Sequence, residues 1–291
     1  MTTLGLAVMA NPPSPDFDVV VIGAGISGIN AAYRLQTQAP NFSYTILEAR
    51  NGMGGTWDFF KYPGIRSDSD LWTFGFPWAP WQEQRAIADG ASIKAYIEKT
   101  AKDHGIDRKI QYGRKVVTAD WSSDQQLWRL GVECQEGMKM MHAKFVLFGT
   151  GYYDYANPLP TTIKGLENFK GTLVHPQYWP SDLNYDDKNV VIIGSGATAI
   201  TLLPNLAEKA SHVTMVQRTP GYILSLPNRG DSYVNRYLPV WMSYRINRIM
   251  NLILPTLFVL FCRYFPKAAR EIVRKRTTPL LPKGMEYQEP T

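Results

Sequence analysis

The sequence predicts an α/β fold with two domains in succession, each opening on a buried parallel strand. Two observations support this prediction. A β-branched run, a glycine-rich turn and a helical pattern follow one another at residues 18–36, and the same order of strand, turn and helix returns at residues 190–199. The length of 291 residues agrees, because it corresponds to about two average domains. Both segments read as the first βα unit of a Rossmann-like, dinucleotide-binding domain.

The first glycine-rich turn has the spacing of a diphosphate-binding loop. Residues 19–22 read VVVI and predict a buried parallel strand, and residues 29–36 predict the helix that follows. Gly23 permits the tight turn, Gly25 lets the backbone approach a diphosphate, and Gly28 lets the helix pack closely on the strand. Free N–H groups and the dipole at the helix N-terminus favour the negative charge of the ligand.

An acidic residue at the end of the next strand indicates which nucleotide binds there. The strand predicted at residues 44–47 is followed by Glu48, which lies 20 residues after Gly28. A carboxylate at that offset accepts hydrogen bonds from a ribose diol and repels a 2′-phosphate. The first loop is therefore predicted to bind a nucleotide with a free 2′-hydroxyl.

The second glycine-rich loop predicts a different nucleotide. Alanine stands at its third glycine position, which the motif allows. The strand that follows ends in Arg218 rather than in an acid, and a guanidinium grips a 2′-phosphate with two parallel hydrogen bonds. We therefore expect NADPH at this loop. The residues expected to bind it are Gly194, Ser195, Gly196, Ala197, Thr198, Ala199, Arg218 and Thr219.

A chain that binds two dinucleotides is expected to move a hydride from one to the other. NADPH is then the donor, and the other cofactor must accept a hydride and pass electrons on, which predicts FAD. A pyridine nucleotide–disulfide reductase shares this two-loop plan but needs a cysteine pair beside the flavin. The spacing of Cys134 and Cys262 cannot supply one. So few cysteines favour a reducing compartment, and we expect a cytoplasmic protein.

Two longer motifs resemble the fingerprints of the Baeyer–Villiger branch of the class B flavin monooxygenases. Residues 55–68 read GTWDFFKYPGIRSD, which is similar to the long fingerprint of that branch. Residues 169–180 read FKGTLVHPQYWP and match the shorter pattern F-x-G-x-x-x-H-x-x-x-W-P that related oxygenases share. The second motif stands between the two glycine-rich loops, as it does in the family. The resemblance runs from about Asp16 to the end of the chain.

The resemblance implies an enzyme that uses NADPH, FAD and O2 to insert one oxygen atom into a ketone, giving an ester or lactone, in secondary metabolism. The implied substrate is a small hydrophobic ketone or sulfide. Two alternatives stay open: a flavin monooxygenase that oxidises nitrogen or sulfur, and an inactive nucleotide-binding remnant of such an enzyme. No nucleic-acid-binding motif accompanies the net charge of +6, and no metal site is expected.

The resemblance also assigns roles to residues. Arg66 and Asp68 are the expected catalytic residues, and Arg66 and Ser67 are expected to contact NADPH as well. His175 and Trp179 are expected to pack at a hinge between the two domains while the NADPH domain moves. The residues expected to contact FAD are Gly23, Gly25, Ser27, Gly28, Glu48, Thr56, Trp57, Asp58, Phe59, Asp68 and, through its backbone, Val116.

The resemblance also divides the chain into domains. We expect a loose N-terminal arm at residues 1–15, an FAD-binding domain at 16–155, a fingerprint linker at 156–185 and an NADPH-binding domain with a helical insertion at 186–291. In the family, Asp68 holds an arginine that lies on a segment after the helical part. The chain ends before such a segment. We therefore expect a C-terminally truncated chain that does not couple NADPH oxidation to ester formation.

The longest apolar run occupies residues 252–262 and contains no charge. It is short for a membrane span and Pro255 interrupts it, so a buried pair of helices is the favoured interpretation. Because a basic segment follows, contact of residues 252–276 with a membrane surface is the alternative.

Overall fold

A computed structural model of the chain describes residues 14–83, 85–159, 162–218, 228, 233–281, 283–284 and 286–287. The chain forms two compact units. The first comprises the residues up to Phe59 together with Lys94–Asn157, and the second comprises Phe60–Ile93 together with the residues from Pro158 onward. The expected domain limits at residues 155 and 185 stay a prediction. The grouping of residues 60–93 with the second unit is not indicated by the sequence.

The first unit is built on a six-stranded mixed sheet in the order β3-β2-β1-β6-β5-β4. Strands β3, β2, β1 and β6 run parallel, whereas β4 and β5 extend the sheet from β6 as an antiparallel meander. The strands are β1 Phe17–Ile22, β2 Tyr44–Leu47, β3 Ile110–Gln111, β4 Lys115–Ser122, β5 Leu127–Cys134 and β6 Gly137–Phe148.

Eight α-helices form within the described part of the chain. They are α1 Ile26–Gln38, α2 Thr56–Phe59, α3 Leu71–Phe74, α4 Gly90–Asp103, α5 Ala197–Ala207, α6 Tyr233–Tyr237, α7 Val240–Tyr264 and α8 Pro266–Thr277. Four short 3₁₀ turns accompany them, at Asp107–Lys109, Leu166–Asn168, Pro176–Tyr178 and Thr278–Leu280.

The predicted first βα unit is confirmed. All four residues of β2 are buried, as are Val19–Ile22 of β1, as expected for parallel strands covered on both faces. The core of this unit joins the parallel strands to the meander. Its buried members are Val20, Ile22, Leu47, Leu130, Val132 and Ala143.

The second unit contains the other predicted strand, turn and helix. Strands β7 Asn189–Ile193 and β8 His212–Val216 pair in parallel, and α5 connects them. Helix α5 packs its apolar face on β7, with Ile192, Ala199, Leu202 and Leu206 buried together. Because β8 ends at Val216, Arg218 lies in the bend that follows the strand.

The buried helix pair expected at residues 252–262 is not what the structure shows. These residues belong to α7, a single helix of 25 residues that continues through Pro255. Residues 252–260 are all exposed. Pro255 removes only one intrahelical donor, and the Thr256 hydroxyl donates to the Leu252 carbonyl at 2.9 Å, so the helix is not interrupted. By length and composition, α7 qualifies as a candidate membrane-crossing helix: its most apolar 18-residue window has a mean hydropathy of 1.4 and is 6% buried.

Candidate dinucleotide-binding site

The first glycine-rich loop is shaped by backbone packing that only glycine permits. Gly23 has a φ of +100°, and a Cβ there would lie 2.6 Å from the Gly149 carbonyl oxygen. A Cβ on Gly28 would lie 1.9 Å from the Gly23 carbonyl oxygen. Helix α1 therefore starts directly on the turn. Gly25 caps it without a side-chain hydrogen bond, which leaves N–H groups at the helix N-terminus available to a ligand.

The Glu48 side chain is hydrogen-bonded to this loop. Its Oε2 accepts a hydrogen bond from the Ala24 N–H at 2.8 Å, and its Oε1 accepts one from the Arg50 N–H at 3.0 Å. The side chain is buried beside the loop. Each carboxylate oxygen has lone pairs beyond the one used, so the group can also receive the hydroxyls of a ribose.

A cleft of about 230 Å³ opens between this loop and the segments that follow β2 and precede β4. Among the residues predicted to contact FAD, those that line the cleft are Gly23, Gly25, Ser27, Glu48, Thr56, Trp57 and Val116. Three basic residues, Arg50, Arg114 and Lys115, line the same cleft and were not predicted. Their charges suit the phosphates of a dinucleotide.

Asp58 and Phe59 are not among the lining residues but lie in the layer that holds Arg50. The Arg50 guanidinium forms an ion pair with Asp58, and its carbon lies 5.2 Å from the centroid of the Phe59 ring. Lys94 Nζ lies 2.7 Å from the other carboxylate oxygen of Asp58, and this hydrogen bond raises the pKa of Lys94. In the structure both residues contact Arg50, and their contacts with FAD stay a prediction.

Tyr155 lines the cleft and was also not predicted. Its ring stacks on Phe59 at 4.2 Å between centroids, and the Arg50 guanidinium lies 5.6 Å from its centroid. Burial raises the pKa of Tyr155, although a hydrogen bond with Thr56 opposes the shift, so the phenol stays protonated at neutral pH. A sequence signal for Tyr155 exists in the tyrosine-rich stretch that follows Gly151, but its stacking partner is remote in sequence.

A β-bulge positions Val116 at the cleft. The register of β4 on β5 shifts between Val116 and Thr118, which places an extra residue, Val117, in β4. Just before the strand, the Arg114 N–H donates to the Glu48 carbonyl at 2.9 Å. The start of β4 is therefore tied to the end of β2, beside the acid predicted to bind ribose.

In the second unit, the other glycine-rich loop is open to a ligand. Gly194 has a φ of +127° and its N–H donates to the Val216 carbonyl at 2.8 Å. A Cβ at Gly194 or Gly196 would meet no atom within 4 Å. Ser195, Gly196 and Ala197 are exposed, and Gly196 caps α5 without a side-chain hydrogen bond.

The remaining residues predicted for NADPH have different surroundings. Ala199 is buried against Ile192, as close helix–strand packing requires. Thr198 shares a hydrogen bond with the Tyr62 hydroxyl, whose pKa is raised by burial. Arg218 is exposed in the bend after β8. Thr219 lies outside the described residues.

Arg66, Ser67 and Asp68 belong to the second unit, as the second loop does. Arg66 and Asp68 are exposed, whereas Ser67 between them is buried. The Ser67 hydroxyl donates to the Ser69 carbonyl at 2.6 Å, so its side chain stabilises its own loop. The roles predicted for these three residues toward flavin and nicotinamide stay predictions.

His175 and Trp179 are placed by local contacts in the second unit. The Nδ1 of His175 accepts the Gln177 N–H at 3.2 Å and caps a 3₁₀ turn. Trp179 packs on the α5–β7 core and meets the Tyr185 ring edge to face at 6.2 Å. The motif at residues 169–180 therefore contributes His175 as the cap of the 3₁₀ turn and Trp179 as a packing residue of the α5–β7 core. The hinge role stays a prediction.

The fold and the two loops are those of dinucleotide-binding oxidoreductases. Residues 20–251 match the model of the pyridine nucleotide-disulphide oxidoreductase family, and the chain belongs to this family. Neither of its cysteines forms a disulfide.

Similarity to curated proteins is more specific. The chain is 44% identical over 275 residues to the FAD-containing monooxygenase EthA of Mycobacterium tuberculosis (strain H37Rv). The aligned region covers 94% of this chain and 56% of EthA. The chain is 40% identical over 275 residues to the probable FAD-binding monooxygenase AlmA of Acinetobacter sp., covering 93% of the chain and 54% of that protein. The chain thus spans about half the length of these relatives.

Solved structures of monooxygenases share the fold. The structure of OTEMO in complex with FAD and NADP has a TM-score of 0.66 at 27% identity and covers 84% of this chain and 45% of its own. Cyclohexanone-bound cyclohexanone monooxygenase has a TM-score of 0.62 at 27% identity, over 73% of this chain and 41% of its own. The chain is therefore related to flavin monooxygenases within this oxidoreductase family.

Proposed function

We propose that the protein is a cytoplasmic FAD- and NADPH-dependent monooxygenase that inserts one oxygen atom of O2 into a small hydrophobic ketone, a Baeyer–Villiger oxidation. The observation that carries the proposal is the difference between the two loops. The buried Glu48 carboxylate is bonded to the first loop, whereas the exposed Arg218 follows the strand after the second. An acid selects a free ribose diol, and an arginine selects a 2′-phosphate.

The cleft of the first unit fits FAD by its own contacts. The turn at Gly23 and Gly28 has no room for a Cβ, so backbone N–H groups rather than side chains would hold the diphosphate. Glu48 would receive the ribose hydroxyls, and Val116 would present its backbone to the adenine. Trp57 lines the same cleft.

The chemistry that FAD supplies when bound is the acceptance of a hydride and the activation of oxygen. The residues of the chain would orient the two cofactors and neutralise the negative charge of their phosphates. Arg50, fixed by Asp58 and by the rings of Phe59 and Tyr155, brings a positive charge to the cleft. Arg218 would hold the 2′-phosphate of NADPH. Arg66 and Asp68, both exposed, are proposed to act between the two cofactors.

Product analysis with labelled O2 tests the proposal. The chain is incubated with FAD, NADPH and a panel of ketones and sulfides, and esters, sulfoxides and hydrogen peroxide are measured. An ester that carries one labelled oxygen supports Baeyer–Villiger chemistry. A sulfoxide without ester indicates the sulfur-oxidising alternative, and a chain that binds FAD yet uses neither NADPH nor O2 is a nucleotide-binding remnant.

We expect peroxide to account for most of the NADPH that this chain consumes. The end of β6, which leads into the cleft at Gly149, leaves Phe145, Leu147 and Phe148 exposed. Exclusion of water is what protects a reduced flavin from wasteful oxidation. Stoichiometric ester formation by the chain alone would contradict this expectation.

A further inference from the structure

The first half of α7 is docked on its own unit. Tyr244 donates its hydroxyl to the Phe76 carbonyl at 3.3 Å. Arg248 Nη1 donates to the Trp72 carbonyl at 2.6 Å, and the carbonyl oxygens of Thr73 and Gly75 lie 3.3 Å from the same nitrogen. Ser243 and Asn247 are buried on the docked face. This half of the helix is therefore held in place by polar and apolar contacts.

The second half of α7 is apolar on every side and exposed on every side. Residues 252–260 make about two and a half turns of helix, so they cover all faces. Their large apolar side chains are 41–65% exposed, from Leu260 to Val259. The one polar side chain among them, Thr256, donates its hydroxyl to the Leu252 carbonyl. A helix that is apolar all round is normally surrounded by an apolar medium.

Charge around this stretch has one sign. Residues 240–270 contain five basic residues and no acidic residue. The basic residues continue along α8, where Arg274, Lys275 and Arg276 form its last turn and its one acid, Glu271, is paired with Arg274 and Lys275. Trp241 and Tyr264 are exposed at the two ends of α7, and aromatic residues in such positions favour a membrane–water interface.

We infer that α7 and α8 attach the protein to one leaflet of an anionic membrane. The uncharged stretch between Arg248 and Arg263 has 14 residues and spans about 21 Å as a helix. This is shorter than the roughly 30 Å hydrocarbon core, so the stretch does not cross it and instead lies along one leaflet, with Arg248 and Arg263 at headgroup level. The basic residues of α8 lie among the headgroups, where each contributes to attraction by anionic lipid.

Lipid fits this surface better than a second folded chain. Residues 252–260 are uncharged and exposed on all faces, and residues 240–270 around them contain basic but no acidic side chains. A helix that lies in the interface buries its apolar side chains at the boundary between headgroups and acyl chains. The positive charge of the flanking segments adds the selectivity for anionic headgroups.

Vesicle flotation tests the inference. The wild-type chain is mixed with vesicles of phosphatidylcholine alone or of phosphatidylcholine with phosphatidylglycerol. It should float with the anionic vesicles, and high salt should weaken the binding. Leu254→Glu/Leu257→Glu should reduce flotation by at least about tenfold, because two exposed apolar side chains no longer enter the leaflet. The matched control Met138→Glu/Met140→Glu alters two exposed apolar residues of the first unit and should float as the wild type does.

A second variant separates charge from apolar contact. Lys267→Glu/Arg270→Glu should remove the preference for anionic vesicles. The inference is overturned if the wild type does not float, or if the leucine variant floats as well as the wild type. It is also overturned if light scattering without lipid shows an oligomer that the leucine variant dissociates while vesicles bind neither protein, since a second copy would then cover α7.

Discussion

Glu48 at the end of β2 accepts the backbone N–H of Ala24 in the turn after β1, at 2.8 Å. The same carboxylate accepts the Arg50 N–H at 3.0 Å. One acidic side chain therefore connects the first glycine-rich loop to the arginine that brings positive charge to the cleft. The offset of 20 residues between Gly28 and Glu48 has a physical basis in this contact, because strand pairing returns the chain to the loop after that length.

Replacing Glu48 with glutamine should weaken FAD binding. The ribose loses a charged acceptor, a loss of about 1.5–3 kcal/mol, which is about 10- to 100-fold in the dissociation constant. Flavin fluorescence titration measures the constant, and Asp124→Asn, an exposed acid in the turn between β4 and β5 of the same unit, is the control. If the Glu48 variant bound FAD as tightly as the wild type, the ribose role of Glu48 would be wrong.

Replacing Arg218 with alanine should affect NADPH alone. The 2′-phosphate loses its guanidinium partner, so the dissociation constant for NADPH should rise by at least about tenfold while that for NADH hardly changes. Isothermal titration with both nucleotides measures the two constants. Lys188→Ala, an exposed basic residue of the same unit, should leave both unchanged. Equal weakening of both nucleotides by the Arg218 variant would remove the basis for choosing NADPH.

The two glycine loops should differ in their tolerance of alanine. A Cβ on Gly28 would lie 1.9 Å from the Gly23 carbonyl oxygen, whereas a Cβ on Gly196 would meet nothing within 4 Å. Gly28→Ala should therefore lower the free energy of unfolding by about 1–3 kcal/mol through overpacking, and Gly196→Ala should change it by less than about 0.5 kcal/mol. Denaturant unfolding followed by circular dichroism makes the comparison. Equal midpoints for the two variants would contradict the close packing at Gly28.

The stability of the first unit should fall in acid because of Asp18. Hydrogen bonds from Lys144 and Ser43 lower the pKa of Asp18 from 3.8 to about 2. Since the folded pKa lies below the unfolded value, the stability from this group is fully present above about pH 4 and is lost as pH falls toward 2. Carboxyl NMR titration should show the lowered pKa, and Lys144→Ala should move it back toward 3.8. An unchanged pKa in that variant would show that Lys144 is not the cause.

Much of the fold could be predicted from the sequence because its signals are local. The strand VVVI, the turn at Gly23 and the helix after it follow one another without a gap, and so does the unit that begins at β7. The lining of the cleft could not be predicted from local sequence patterns alone. Arg50 and Tyr155 both line the cleft, and the ring stack that holds Tyr155 joins it to Phe59, about a hundred positions earlier, so no local pattern predicts this contact.

The apolar run at residues 252–262 shows a different limit. Composition and Pro255 indicated a buried, interrupted segment, because an apolar run is usually covered and proline usually breaks a helix. The structure has a continuous and exposed helix. Which medium covers an apolar run depends on tertiary contacts, which the docked residues Tyr244 and Arg248 provide for only one half of α7.

The central claim is that one chain binds FAD at the Glu48 loop and NADPH at the Arg218 loop, and passes a hydride from the second to the first. Anaerobic mixing of the FAD-loaded chain with NADPH or NADH, followed by flavin absorbance, tests it directly. The account predicts that NADPH bleaches the flavin and that NADH does so far more slowly, a preference that Arg218→Ala should remove. Retention of FAD with no bleaching by either nucleotide would contradict the claim.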